Sequence, residues 1–114
     1  GNPVRIVTDQ YGNTTLADEL AIAIWEIVQQ EAVGLFHVAS RDIVDRLTFS
    51  RVIADVFDLD AQLISPITTA ELNQKAPRPL QSGLIVTKAM ETLGLELSDS
   101  RQALEMFKTQ LAET

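Results

Sequence analysis

Short β-branched runs alternate with helical stripes along this chain, and no other feature restricts its fold as much. Val4-Arg5-Ile6-Val7 reads as a strand, closed by the turn-like Asp9-Gln10-Tyr11-Gly12-Asn13. Thr15-Leu16-Ala17-Asp18 then has the spacing of a capping box, with Asp in place of the usual Glu. The helix it opens carries Leu20, Ala21, Ile24, Ile27 and Val28 on one face, the face expected to meet the core, with Trp25 at its edge. Past Gly34, Leu35-Phe36-His37-Val38-Ala39 reads as a second strand. Thr48 offers an N-cap to the most regular helix, in which Phe49, Val52, Ile53, Val56 and Phe57 form one apolar stripe.

Gln62-Leu63-Ile64-Ser65 is a third strand candidate, ended by Pro66, and Thr68-Thr69-Ala70-Glu71 is a second capping box. Ala76-Pro77-Arg78-Pro79 must be extended, because each proline fixes its own φ and biases the residue before it away from helix. Leu84-Ile85-Val86 is a candidate extra strand. Thr87 to Leu93 reads as a helix stopped by Gly94, and a last helix from about Asp99 is expected to bury Ala103, Leu104, Phe107 and Leu111. Together these predict an α/β fold: a small, largely parallel sheet of three or four short strands with about five helices. So small a sheet leaves an open edge, and dimerisation or strand exchange through it is expected.

At 114 residues the chain suits one small domain. It has no cysteine, which removes disulfides and thiolate metal sites and fits a cytoplasmic protein. The net charge of −7, without a Lys/Arg cluster, argues against nucleic acid as a partner. No apolar run approaches the roughly 20 residues that cross a bilayer, so no membrane role is expected. The first residues, Gly-Asn-Pro, carry no signal-peptide pattern and lead at once into a strand, as expected of a start inside a larger protein.

Candidates for chemistry are few. Neither GxGxxG nor GxxxxGK[ST] occurs, so no self-contained nucleotide site is visible. With His37 as the only histidine, a multi-histidine metal site is excluded, and His37 itself is expected to be a structural residue with one or two hydrogen bonds. The carboxylates fall mostly on expected solvent faces and first turns. Two segments stand apart. Asp9 to Thr15 joins a strand end to a helix start, where open α/β sheets gather ligands; a plain turn plus cap would look the same. Arg78, held between two prolines with Ser82 nearby, suits bidentate recognition of phosphate or carboxylate; an ordinary surface arginine is the alternative.

These same segments resemble a known family. Asp9-Gln10-Tyr11-Gly12 with Thr15-Leu16-Ala17-Asp18-Glu19-Leu20-Ala21 is similar to the "DQxGxPTxxxDLA" signature of dTDP-4-dehydrorhamnose reductases, which are extended short-chain dehydrogenase/reductases of Rossmann type. Gly34 to Ala39 resembles the family's "GxYHxAG", and Thr48-Phe49-Ser50 its "S/TxxEFA". Ala76-Pro77-Arg78-Pro79, Ser82, Leu84, Lys88 and Leu93-Gly94 resemble "RPxxSxLxxxKLxxLG", and Arg101 to Leu104 the closing "WrxAL". Thr14 stands where the family usually has Pro, Ser40 where glycine is common, and Ser100 where the last motif has Trp.

The resemblance implies that residues 1–114 are the C-terminal, substrate-binding part of such an enzyme. The half that binds NADP(H), with its Gly-rich loop and Tyr-x-x-x-Lys pair, would lie outside this chain. It implies a dTDP-sugar substrate, with Gln10, Tyr11 and Thr15 near the sugar or cofactor and Arg78 and Ser82 near the diphosphate. It names no catalytic residue and no metal ligand here, and the fragment alone is expected to be inactive. Two relatives share the architecture and stay open as alternatives: a non-catalytic protein like the methionine adenosyltransferase regulatory subunit, and a sugar-nucleotide epimerase or dehydratase. An independent α/β interaction module is a third.

Overall fold

The computed structural model describes every residue, Gly1–Thr114. The β-branched run Val4–Val7 forms strand β1, and its partner is β4 (Ile64–Ile67), parallel to it, with Val4 opposite Ile64 and Val7 opposite Ile67. Between them lie β2 (Tyr11–Gly12), α1 (Ala17–Gln29), β3 (Val44–Asp45) and α2 (Arg46–Val56). After β4 come α3 (Thr69–Leu72), α4 (Thr87–Leu93) and α5 (Ser100–Ala112). The α/β class and the five helices agree with the sequence. The four strands, however, form two pairs: β1 with β4 in parallel, and β2 with β3 antiparallel.

Strand boundaries moved where pairing or proline chemistry decided them. Gln62 and Leu63 belong to a 3-10 turn in which the Asp60 carboxylate accepts from the Gln62 N–H at 2.9 Å. Pro66 lies inside β4, opposite Ile6, rather than ending the strand. An edge strand tolerates a residue without an N–H. Leu35–Ala39 and Leu84–Val86 form no ladder, because no other strand of this chain lies beside them. Instead the Leu35 carbonyl accepts from Lys88 Nζ at 2.7 Å, and the Asn13 amide clasps Leu84, accepting from its N–H at 2.6 Å and donating to its carbonyl at 3.1 Å. Without the strand that was to bury it, His37 is exposed and makes no side-chain hydrogen bond, contrary to expectation.

The helix ends follow the same logic. Thr68 with Glu71, and Asp99 with Gln102, form the two complete capping boxes, and α4 stops at Gly94 in the left-handed region at φ 69°. The box expected at Thr15 does not form. Leu16 is the N-cap without a side-chain bond, and Asp18 accepts from Gln110 Nε2 of α5 at 2.6 Å instead. Helix α2 begins earlier than expected, at Arg46, with Asp45 as its N-cap accepting from the N–H and hydroxyl of Thr48 at 2.8 and 2.6 Å. Thr48 is therefore the third helical residue, a donor to the cap and not the cap itself.

The core gathers between α1, α4 and the segment after it, around Ala23, Ala39, Val86, Ala89, Leu93 and Leu97. Helix α2 packs on β1 and β4 and, through Phe57 edge-on to Phe107 at 6.4 Å, on α5. One expectation is reversed in α1. Its inward line is Glu19, Ala23 and Ile27: Ala23 is fully buried, Ile27 packs against the core, and Glu19 accepts from Ser98 N–H and hydroxyl, while Gln30 at the C-cap donates to the Leu93 carbonyl at 2.9 Å. The apolar stripe of Leu20, Ala21, Ile24 and Val28 faces solvent with Trp25, and only Ile27 is half-buried. In α5, likewise, Ala103 is buried and Leu104 half-buried, but Phe107 and Leu111 are exposed, since α5 meets α2 along one line only. The result is a slab of 47 × 36 × 20 Å with a radius of gyration of 16.2 Å, against about 13 Å for a compact domain of similar length. No helix is long and apolar enough to cross a membrane.

Candidate functional site

The turn from β1 into β2 is anchored from below by α3. Asp9 Oδ1 accepts from the Thr69 N–H at 2.9 Å and from its hydroxyl at 2.6 Å, and the hydroxyl bond holds the Asp9 carboxyl below the ordinary aspartate range. Gln10 is buried, and its amide nitrogen donates to Thr69 Oγ1 at 3.2 Å and Gln74 Oε1 at 3.0 Å. Its backbone carbonyl accepts from the Arg46 N–H at 3.1 Å, which fixes the start of α2 beside the turn.

Strand β2 then carries the second segment to the first. On one edge it pairs with β3; on the other, the Tyr11 N–H donates to the Leu80 carbonyl at 2.8 Å, and the Tyr11 carbonyl accepts from the Ser82 N–H at 3.1 Å. Ser82 Oγ also donates to the Tyr11 carbonyl at 3.1 Å. That bond uses the only proton of the hydroxyl, so toward a ligand Ser82 acts as an acceptor unless it turns. The rigid Pro-Arg-Pro loop is thereby held alongside β2.

Gln10, Tyr11, Arg78 and Ser82, far apart in sequence, line one cavity of about 360 Å³, a size suited to a small-molecule ligand. Thr15 is not among them. It lines a separate apolar groove of about 300 Å³ with Leu16, Phe49, Leu104 and Phe107. Arg46, which the sequence reading left out, lines the main cavity and also an adjoining one of about 240 Å³. The signal was available: Asp45 as an N-cap with Thr48 three residues on would have placed Arg46 at the first helical position, next to the strand end. Lys88, the other residue of the loop motif, is turned away, bonded to the Leu35 carbonyl and lying 4.8 Å over the Phe36 ring.

The site is cationic and has no proton-transfer pair. No carboxylate lines the main cavity. Such an arrangement is suited to an anion.

The chain resembles known proteins over nearly its whole length. Residues 1–113 match the RmlD substrate binding domain. The chain is 34% identical over 108 residues to the probable low-salt glycan biosynthesis reductase Agl14 of Haloferax volcanii, covering 92% of this chain and 36% of that protein. It is 29% identical over 115 residues to the dTDP-4-dehydrorhamnose reductase of Aggregatibacter actinomycetemcomitans, covering 90% of this chain and 39% of that one. The crystal structure of dTDP-4-dehydrorhamnose reductase from Bacillus anthracis in complex with NADP superposes with a TM-score of 0.87 at 22% identity, covering 96% of this chain and 39% of that chain. The chain thus spans a little over a third of the length of these relatives. Matched from end to end in sequence and alike in fold, the chain belongs to the RmlD substrate binding domain family.

Proposed function

We propose that this chain is the sugar-nucleotide-binding part of a dTDP-4-dehydrorhamnose reductase-like enzyme, which reduces the 4-keto group of a dTDP-sugar at the expense of NADPH. One observation carries the reading: Gln10, Tyr11, Arg78 and Ser82 converge on a single cavity that holds arginine and no carboxylate, in a domain of this family. Arg78 and Ser82 face the diphosphate; Gln10 and Tyr11 face the sugar or cofactor. Thr15 stands on the flank, within reach only of a ligand that extends past Thr14. This chain offers no glycine-rich strand-to-helix turn for a dinucleotide, so NADP(H) lies mainly on a separate N-terminal Rossmann half and supplies the hydride from there. What these residues contribute is binding and orientation, and the chain alone is inactive.

The solvent-facing apolar stripe of α1 supports a second body in the intact protein. A helix with apolar residues on its outward side is suited to burial against another element. Beside it lies Leu35–Ala39, a β-prone segment with no ladder partner in this chain.

The test is NADPH consumption by the full-length polypeptide on addition of dTDP-4-dehydrorhamnose, with GDP- and UDP-linked sugars as comparisons. Turnover of the dTDP substrate supports the proposal. Binding of dTDP with no NADPH consumed would sink the reductase reading and favour the non-catalytic relative; conversion of a sugar nucleotide without net NADPH oxidation, read by product analysis, would favour the epimerase or dehydratase class.

A further inference from the structure

Three of the chain's six arginines, Arg5, Arg46 and Arg78, gather around Gln10 in two adjoining cavities, although the chain as a whole carries a net charge of −7. Gln10, Arg46 and Arg78 line both cavities, and Arg5 lines the second. No carboxylate lines either one. The chain's two salt bridges use other arginines, Arg41 with Asp99 and Arg101 with Asp55. The acidic groups nearest in sequence are held elsewhere: Asp9 by Thr69, Asp45 by Thr48 and Glu71 by Thr68. Each of these carboxylates is satisfied by hydroxyl or N–H donors, so the guanidinium groups keep their full donor sets for something outside the chain.

Two neighbouring guanidinium groups without a counter-charge repel each other, and a ligand with two adjacent negative groups relieves that repulsion. A single phosphate can satisfy one planar fork bidentately; two forks suit a phosphoanhydride. The placements differ in stiffness. Arg78 stands between two prolines, and Arg46 is the first residue of α2, its backbone N–H bonded to Gln10. Arg46 is thus tied to the turn, and the backbone of Arg78 is restricted by its prolines, before any ligand arrives.

We propose that Arg46 is the second arm of a two-arginine diphosphate clamp, with Arg78 on one phosphate and Arg46 on the next. This rests on the sugar-nucleotide reading above and extends it to a residue not otherwise assigned. The clamp reads the number of phosphates: Arg46 distinguishes a nucleoside diphosphate from a monophosphate.

The experiment is calorimetric titration of the full-length polypeptide with dTDP, dTMP and inorganic diphosphate, for the wild type and for Arg46→Gln, Arg46→Lys and Arg51→Gln. The wild type is expected to bind dTDP more tightly than dTMP, and Arg46→Gln to weaken dTDP by about 10- to 100-fold while changing dTMP little. Arg46→Lys keeps a point charge and restores part of the gap, which also guards against a folding defect in the Gln variant; Arg51→Gln, on the same helix outside both cavities, changes nothing. An unchanged ratio of dTDP to dTMP affinity in Arg46→Gln and Arg46→Lys overturns the clamp and leaves the sugar-nucleotide reading standing. Binding of inorganic diphosphate that needs Arg46, with none of dTDP, keeps the clamp and overturns that reading. No binding of either overturns both.

Discussion

The hydroxyls of Thr14 and Ser40 lie 3.0 Å apart and share a hydrogen bond, and the Ser40 N–H donates to the Thr14 carbonyl at 2.8 Å. These are two of the places where the chain departs from the reductase pattern, Thr for a usual Pro and Ser for a common glycine. The two departures meet in space. Proline and glycine could not make the hydroxyl pair, so here a polar contact ties the turn before α1 to the segment after Ala39. Ser40 is almost wholly buried, so its hydroxyl has little access to water. Ser40→Ala should cost about 1 kcal/mol of stability, as should Thr14→Val, and the double variant less than their sum. Urea denaturation of the four proteins measures this; strict additivity would show that the contact contributes nothing.

Gly94 ends α4 at φ 69°, with open space where a Cβ would stand. The cost of Gly94→Ala is therefore one of backbone conformation and not of collision, and about 1–2 kcal/mol is expected. A shift in the denaturation midpoint without a change in slope is the outcome to look for.

Asp9 and Asp45 both have carboxyl pKa values held below the ordinary range. The Thr69 hydroxyl lowers Asp9; at Asp45 burial pushes upward, but bonds from the Thr48 hydroxyl and N–H outweigh it. A depressed folded-state pKa means that the stabilisation is complete above the unfolded value, about 3.9, and is lost as pH falls through the folded one. Stability should thus be flat in this respect near neutrality and fall below about pH 4. In Asp9→Asn and Asp45→Asn that acid slope should be shallower; a slope equal to the wild type's would remove these two groups from the acid response.

Trp25 is the only tryptophan and is 61% exposed on the outward face of α1. In this chain alone its fluorescence should be that of a hydrated indole, readily quenched by acrylamide. If α1 docks on the proposed Rossmann half, emission from Trp25 in the full-length polypeptide should move to shorter wavelength and its quenching should fall. Equal quenching in both would rule out α1 as the docking face.

Arg78→Ala in the full-length polypeptide should raise KM more than it lowers kcat, because the diphosphate stays bound from ground state to transition state. Steady-state kinetics with the dTDP-sugar decide it, and an unchanged KM would end the assignment of Arg78 to the diphosphate.

Local chemistry was legible in the sequence, and partnership was not. The run Val4–Val7, the capping box at Thr68, the helix start near Asp99, the stop at Gly94 and the α2 stripe all depend on residues within a turn or two of one another, and each stands where periodicity and cap chemistry put it. The residues Gln10, Tyr11, Arg78 and Ser82 could be named as candidates, but that they share a cavity follows from the Tyr11 backbone bonding to Leu80 and Ser82 across the fold. The same holds for what failed. Leu35–Ala39 has the composition of a strand, yet a strand exists only beside another, and this chain supplies none. The stripe on α1 has the right period for burial, yet periodicity says that a face is apolar and not which body covers it; within this chain Ala23 and Ile27 meet the core, and Glu19 is held beside them by Ser98. Short-range order followed from covalent sequence and local sterics, whereas burial, strand pairing and the placing of Arg46 and Arg78 along the same cavities were decided by long-range contacts that no window of sequence contains.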